Sequence, residues 1–180
     1  MRLPFLIHLL ESVSAIARPR RIVILGSSSL LPQHPDLGGP GRPVEVSLDA
    51  DFLLEPVNQA IADVLKEAVG NESAFEQLHG YYADILKPSI AETLPPGWES
   101  RLTAVPGYGN VFALDRYDLA LVKLMLGRAK DLDLVRALLR LGILEADALQ
   151  RHYQATPLGE QEAVKAGRNL TTLLREAGIR

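Results

Sequence analysis

Apolar residues recur at helical spacing over residues 5–17, and Pro19 stops that helix just ahead of Arg21-Ile22-Val23-Ile24-Leu25, a β-branched run that reads as a buried strand. Gly26-Ser27-Ser28-Ser29-Leu30 follows directly, where small residues permit a tight turn with hydroxyls and amides facing outward at the start of the next helix. Residues 32–43 hold four Pro and three Gly, too many for regular structure, and are expected to form a long exposed loop or mobile flap. Residues 44–48 resume the strand pattern. Asp49-Ala50-Asp51 then sets two carboxylates on one side of that strand's end, because strand side chains alternate with period two. Residues 57–69 form an amphipathic helix closed by Gly70-Asn71, and residues 73–86 also read as helical. After Leu94-Pro95-Pro96-Gly97-Trp98, two short strands at 101–105 and 111–114 flank a Pro106-Gly107 turn and form a hairpin. Helices follow at 116–127, 131–141 and 146–153, with a terminal helix after Pro157 that ends near Gly178.

This order of elements predicts an α/β (α+β) fold, a small mixed sheet with flanking helices and a C-terminal helical block. At 180 residues, 47% hydrophobic, the chain is long enough for one sizeable core and too short for two ordinary domains. The expectation is a single domain over 1–180, with a sheet core in 1–115 and the helical block of 116–180 packed on it. A formal net charge of -3 and a pI near 5.8 exclude a globally basic nucleic-acid binder, so any nucleic-acid partner must be held locally. The absence of cysteine removes disulfides, thiolate zinc sites and cysteine nucleophiles, and fits a cytoplasmic location. The apolar run at 3–10 contains His8, is soon followed by Glu11 and lacks a cleavage site, so it reads as a first helix and not a signal peptide. No stretch reaches the ~20 apolar residues a membrane span needs, so no membrane partner is expected.

Nucleotidyl transfer requires a divalent ion to neutralise phosphate charge, and Mg²⁺ is commonly held by one or two carboxylates together with substrate oxygens. Asp49 and Asp51 supply such a pair, and two carboxylates this close repel unless a cation lies between them. The plainer reading is a solvated turn, where Asp is common. Gly26 and Ser27, closing the preceding strand, offer a turn against which phosphates can lie. Lys123 sits mid-helix among Leu119 to Leu126, so it either snorkels to water or points at a ligand, and Asp131 either serves a site or caps the next helix. His8, His34, His79 and His152 show no metal-ligand spacing, and the serines at 27–29 lack the Gly-x-Ser-x-Gly elbow of a hydrolase. Arg18, Arg20 and Arg21 read as a solvated cluster able to meet an RNA backbone, and Tyr81, Tyr82 and Trp98 as packing residues able to stack on a base.

The stretches GSSSLLPQHPD, VEVSLDADF, LPPGWESRL and LDRYDLALVKLMLGRAKDLDLVRALL resemble, in order, a family of uncharacterised bacterial nucleotidyltransferase-like proteins, over about residues 21–144. That family is similar to the enzyme halves of nucleotidyltransferase toxin and antitoxin systems. The resemblance implies a Mg²⁺-dependent (or Mn²⁺-dependent) transfer of an NMP group from an NTP to an acceptor hydroxyl on RNA, protein or a small molecule, with an antitoxin-like partner. Carried over residue by residue, it implies Asp49 and Asp51 as metal carboxylates, Gly26 and Ser27 as triphosphate holders, Lys123 as its counter-charge, and Asp131 as the group that orients Lys123 or a metal water. Many nucleotidyltransferases carry a third carboxylate on a later strand. Residues 101–105 contain none, which leaves Glu99, Asp115, Asp131 or Asp133 as substitutes. The alternative is a catalytically degenerate domain of this fold that binds a protein, nucleotide or RNA without turnover.

Overall fold

Helix α1, Leu3–Ala17, buries Leu6, Leu9, Leu10 and Val13 on one stripe, starts with a proline in its first turn and ends where Arg18 turns left-handed (φ 46). It opens the computed structural model, which describes residues 1–176, so the helix end expected near Gly178 lies outside the described residues. Strand β1, Arg21–Leu25, follows. A 3₁₀ turn at Ser27–Leu30, not a full helix, leads away from it. Next come β2, Asp49–Glu55, then α2, Gln59–Val69, α3, Ala74–His79, and β3, Tyr82–Ile85. The hairpin expected around Pro106-Gly107 is present as β4, Thr103–Ala104, antiparallel to β5, Val111–Ala113. Helices α4, Arg116–Leu126, α5, Ala129–Arg140, α6, Ala146–Ala155, and α7, Glu160–Glu176, complete the described chain. Five strands and seven α-helices among the described residues make a mixed α/β fold. No helix among them is long and apolar enough to cross a membrane.

The strand order is β3-β2-β1-β5-β4. β1 runs antiparallel to β2 with Leu25 opposite Asp51, and parallel to β5; β2 runs parallel to β3. As the central strand, β1 is covered on both faces, and Ile22, Val23 and Ile24 are fully buried, which is why its sequence is a continuous apolar run and not an alternation. On β2 the alternation is clear: Ala50 and Phe52 are fully buried on one face, while Asp49 and Asp51 project from the other. Helices α1 and α2 meet each other and both touch β3. Burying a side chain such as Phe52 or Leu65 contributes roughly 1.5–3 kcal/mol apiece.

Two stretches differ from the sequence expectation. Residues 44–48 are a succession of turns, with Glu45 N–H bonded to Arg42 C=O and Ser47 N–H to Val44 C=O, so Val46 and Leu48 are exposed (84% and 55%) and only Val44 is buried. Asp49 and Asp51 therefore open β2 and do not close a preceding strand. Because β2 is antiparallel to β1, this opening end lies beside the closing end of β1. The second difference is at 73–86, where the helix stops at His79, Gly80 turns left-handed (φ 77) and the chain continues as β3. The Pro- and Gly-rich stretch at 32–43 is exposed on its flanks but held at its centre by a 3₁₀ turn, Pro35–Gly38, with Leu37 and Gly38 buried. A Cβ on Gly38 would lie 2.5 Å from Met1 O, so only glycine permits that approach.

Contacts divide the chain into two compact units, Met1–Thr93 with Leu102–Leu114, and Leu94–Arg101 with the chain from Asp115 onward. The first holds the sheet and α1 to α3. The second is helical, with α4 contacting α5, α6 and α7.

Candidate active site

In the first unit, the end of β1 and the start of β2 are brought together by five antiparallel register pairs that terminate at Leu25 and Asp51. Gly26, the next residue, takes φ +61, and a Cβ placed there would stand 1.9 Å from Asp51 Oδ2. The positive φ favours glycine, and any Cβ there would turn the Asp51 carboxylate from its place. Ser27 Oγ donates to Ser47 Oγ (3.3 Å), and Ser47 Oγ in turn donates to Asp49 Oδ1 (2.8 Å), so the turn after β1 is tied to the first carboxylate through Ser47.

A third carboxylate joins them from β3. In the parallel pair of β2 and β3, Asp49 is opposite Tyr82 and Asp51 opposite Asp84, and register partners project from the same face, so Asp49, Asp51 and Asp84 share the face away from Phe52. Asp84 is exposed on β3, yet desolvation by the protein around its carboxyl pushes it above its ordinary range, the negative charge of Asp49 adds to this, and only the Lys66 ammonium opposes it. Tyr82 is raised as well, by burial first and then by the charges of Asp49 and Asp84. This is a face with excess negative charge built from hard oxygen donors, which suits Mg²⁺ or Mn²⁺ and would be relieved by it. Asp84 was missed at the sequence level because 73–86 read as one helix. The available signal was the short aromatic and β-branched run Tyr81 to Ile85 directly after Gly80. The substitutes considered, Glu99, Asp115, Asp131 and Asp133, all lie on the second unit.

In the second unit, Lys123 Nζ lies 3.1 Å from Asp131 Oδ1, and Arg128 Nε donates to Asp131 Oδ2 (2.5 Å). Asp131 is almost fully buried and Lys123 largely so. Burial alone would raise the Asp131 carboxyl, but the Arg128 hydrogen bonds and the Lys123 charge outweigh it and hold the carboxyl below its ordinary range. The sequence pair is thus a contact, with Asp131 holding the lysine and not capping α5, whose N-cap is Arg128.

A second buried carboxylate, Asp118, accepts from Arg101 Nε (2.8 Å) and Nη2 (2.8 Å) and pairs with His152 Nε2 (2.9 Å). Burial pushes it up, yet the His152 and Arg101 hydrogen bonds bring it below the ordinary range. Asp115, Asp118 and His152 place ligand atoms within 4.8 Å of one another, a spacing compatible with a metal ion. However, Asp115 Oδ1 caps α4 by accepting from Tyr117 and Asp118 N–H, and both Asp118 oxygens already face the Arg101 guanidinium. A fixed cation already occupies this cluster's charge-balancing role. The β2/β3 face, where Asp49, Asp51 and Asp84 share one side of the sheet, is the better fit for an added cation.

Residues 2–170 match the family described as "Nucleotidyltransferase of unknown function (DUF6036)". The match spans nearly the whole chain, which belongs to that family. No curated protein and no solved structure matches.

Proposed function

With membership of this nucleotidyltransferase family as the premise, we propose that the chain transfers an NMP group from an NTP to an acceptor hydroxyl at the Asp49, Asp51 and Asp84 face, with Mg²⁺ or Mn²⁺ bound there. The observation that carries the reading is the Asp51 to Asp84 register pair beside the positive-φ glycine at 26. In this proposal Asp49 and Asp51 hold the metal, and Ser47 keeps Asp49 oriented. The Gly26 and Ser27 turn receives the triphosphate. A metal held by Asp49 and Asp51 would supply charge neutralisation for the triphosphate and a more electrophilic α-phosphorus. The acceptor oxygen forms a bond to that phosphorus as the bridging oxygen to the β-phosphate leaves in pyrophosphate, and the hydroxyl proton passes to Asp84. Asp84, across the strand pair from Asp51, is the carboxylate of this face left to serve as general base.

The rival reading, a degenerate binding domain, draws on the lack of a carboxylate in 101–105; Asp84 on β3, at the opposite edge of the sheet from β4, offers one. Release of pyrophosphate from each NTP with Mg²⁺ or Mn²⁺, measured for the native protein and for Asp51→Asn and Asp84→Asn, is the test. Metal-dependent NTP binding and turnover lost in both variants supports the reading. Binding or turnover indifferent to metal and to both substitutions removes it. A toxin role with an antitoxin-like partner rests on the resemblance alone, and growth arrest on expression, relieved by the product of the adjacent gene, tests it.

A further inference from the structure

Tyr81 precedes β3 and Tyr82 opens it, and the two adjacent tyrosines have opposite surroundings. The Tyr81 hydroxyl pairs with His8 Nδ1 (2.8 Å), its ring stacks on Phe5 with centroids 4.6 Å apart, and the residue is buried. Tyr82 is the register partner of Asp49 and lies two residues before Asp84, so strand alternation puts its side chain on the face shared by Asp49, Asp51 and Asp84. There it is half-buried, yet its hydroxyl makes no hydrogen bond and its ring meets no other ring among the described residues. The serine hydroxyls beside the same carboxylates are committed: Ser27 Oγ donates to Ser47 Oγ, and Ser47 Oγ donates to Asp49 Oδ1. Of these three hydroxyls, Tyr82 carries the one whose proton has no acceptor in the structure.

We propose that Tyr82 is itself a nucleotidyl acceptor, so that the enzyme modifies its own chain at the carboxylate face. The chemistry rests on the nucleotidyl-transfer reading. Tyr82 Oη forms a bond to the α-phosphorus of the NTP, the bond from that phosphorus to the oxygen bridging to the β-phosphate breaks, and pyrophosphate leaves with the electron pair. The phenol proton passes to Asp84, on the same face of the same strand. Strand side chains stand roughly perpendicular to the sheet, and tyrosine is longer than aspartate, so the Tyr82 hydroxyl reaches past the carboxylate oxygens toward the side from which an NTP approaches. As part of β3 it needs no diffusional encounter, which turns a bimolecular step into an intramolecular one. A neutral phenol also escapes the repulsion that the charges of Asp49, Asp51 and Asp84 impose on the phosphates of an RNA acceptor. The product sets a bulky, negatively charged NMP ester among these carboxylates, so modification closes the face to a further NTP.

The test incubates the full chain with each NTP and Mg²⁺ or Mn²⁺ and follows intact mass, peptide maps, NTP binding and pyrophosphate release. A single NMP adduct on Tyr82, formed at a rate independent of protein concentration and lost with EDTA or in Asp51→Asn, is the expected result. Tyr82→Phe keeps the ring and deletes the hydroxyl, and is expected to carry no adduct, whereas Tyr81→Phe should label like the native chain. Peptide mapping of the native chain locates the adduct directly, so the assignment does not depend on either variant folding. Asp51→Asn labelled with ¹⁵N and mixed with native enzyme is expected to stay unmodified, because transfer within one chain cannot reach it. Metal-dependent NTP binding or pyrophosphate release without an adduct on Tyr82, an adduct on another residue instead, or modification of the mixed Asp51→Asn chain overturns self-modification at Tyr82 and leaves the transfer reading standing. Absence of both metal-dependent NTP binding and pyrophosphate release overturns both.

Discussion

Asp84 lies directly across the parallel strand pair from Asp51, so the unfavourable charge at this face is shared between two strands that are neighbours only in the folded chain. Asp84→Asn deletes one charge with little change of shape. Turnover is expected to fall at least about a hundredfold, equivalent to ~2.7 kcal/mol of transition-state stabilisation. Pyrophosphate release under saturating Mg²⁺ checks it, and activity within a factor of two of native would exclude Asp84 from the chemistry.

The same substitution has the opposite effect on stability. The folded carboxyl is raised above its unfolded value, so the protonated form is favoured in the folded state. Its stabilising contribution is present below the unfolded pKa and is lost as pH rises through the folded one. Without metal, Asp84→Asn is therefore expected to raise Tm at neutral pH, by only about 1 °C because the group keeps solvent contact. The gain should vanish near pH 3, and Mg²⁺ should stabilise the native protein more than the variant.

Gly26→Ala forces a Cβ into the Asp51 carboxylate and a side chain onto a positive φ. The cost is about 2 kcal/mol, or roughly 4–8 °C in Tm. Metal-dependent NTP binding should weaken along with stability, because Asp51 must move. A thermal melt together with calorimetric titration reads both; an unchanged Tm would mean that the turn relaxes freely.

Asp131 and Asp118 predict the acid limb of the second unit's stability. Both folded carboxyls lie below their unfolded values, so their contribution is present above the unfolded pKa and is lost as pH falls through the folded values. Asp131→Asn takes the carboxylate away from the largely buried Lys123 ammonium and is expected to cost about 3 kcal/mol and to flatten the pH dependence of stability below pH 4. Lys123→Met leaves the Arg128 pair in place, so it should fold with a far smaller loss of Tm than Asp131→Asn. Denaturant melts from pH 3 to 7 for both variants separate the two roles, and equal losses in stability would contradict this division.

The elements whose pattern is local were legible in the sequence. The 3.6-residue stripe of α1, the β-branched run of β1, the turn-flanked hairpin and the four later helices follow from spacing and breakers alone, and the common face of Asp49 and Asp51 follows from the two-residue period of any strand. What the tertiary structure decided depends on partners distant in sequence. Residues 44–48 have strand composition, yet they turn, and the exposure of Val46 and Leu48 shows that no face there is buried. Residues 82–85 are a strand because β2 lies alongside to accept their hydrogen bonds; four residues have too little pattern of their own to outweigh the helix that precedes them. Hence the third carboxylate was invisible until that pairing set its register. Likewise, the family resemblance implied that Asp131 orients Lys123, but only packing showed Asp131 gripping the lysine and Arg128 at once, because a buried carboxylate must find its counter-charges wherever the fold brings them.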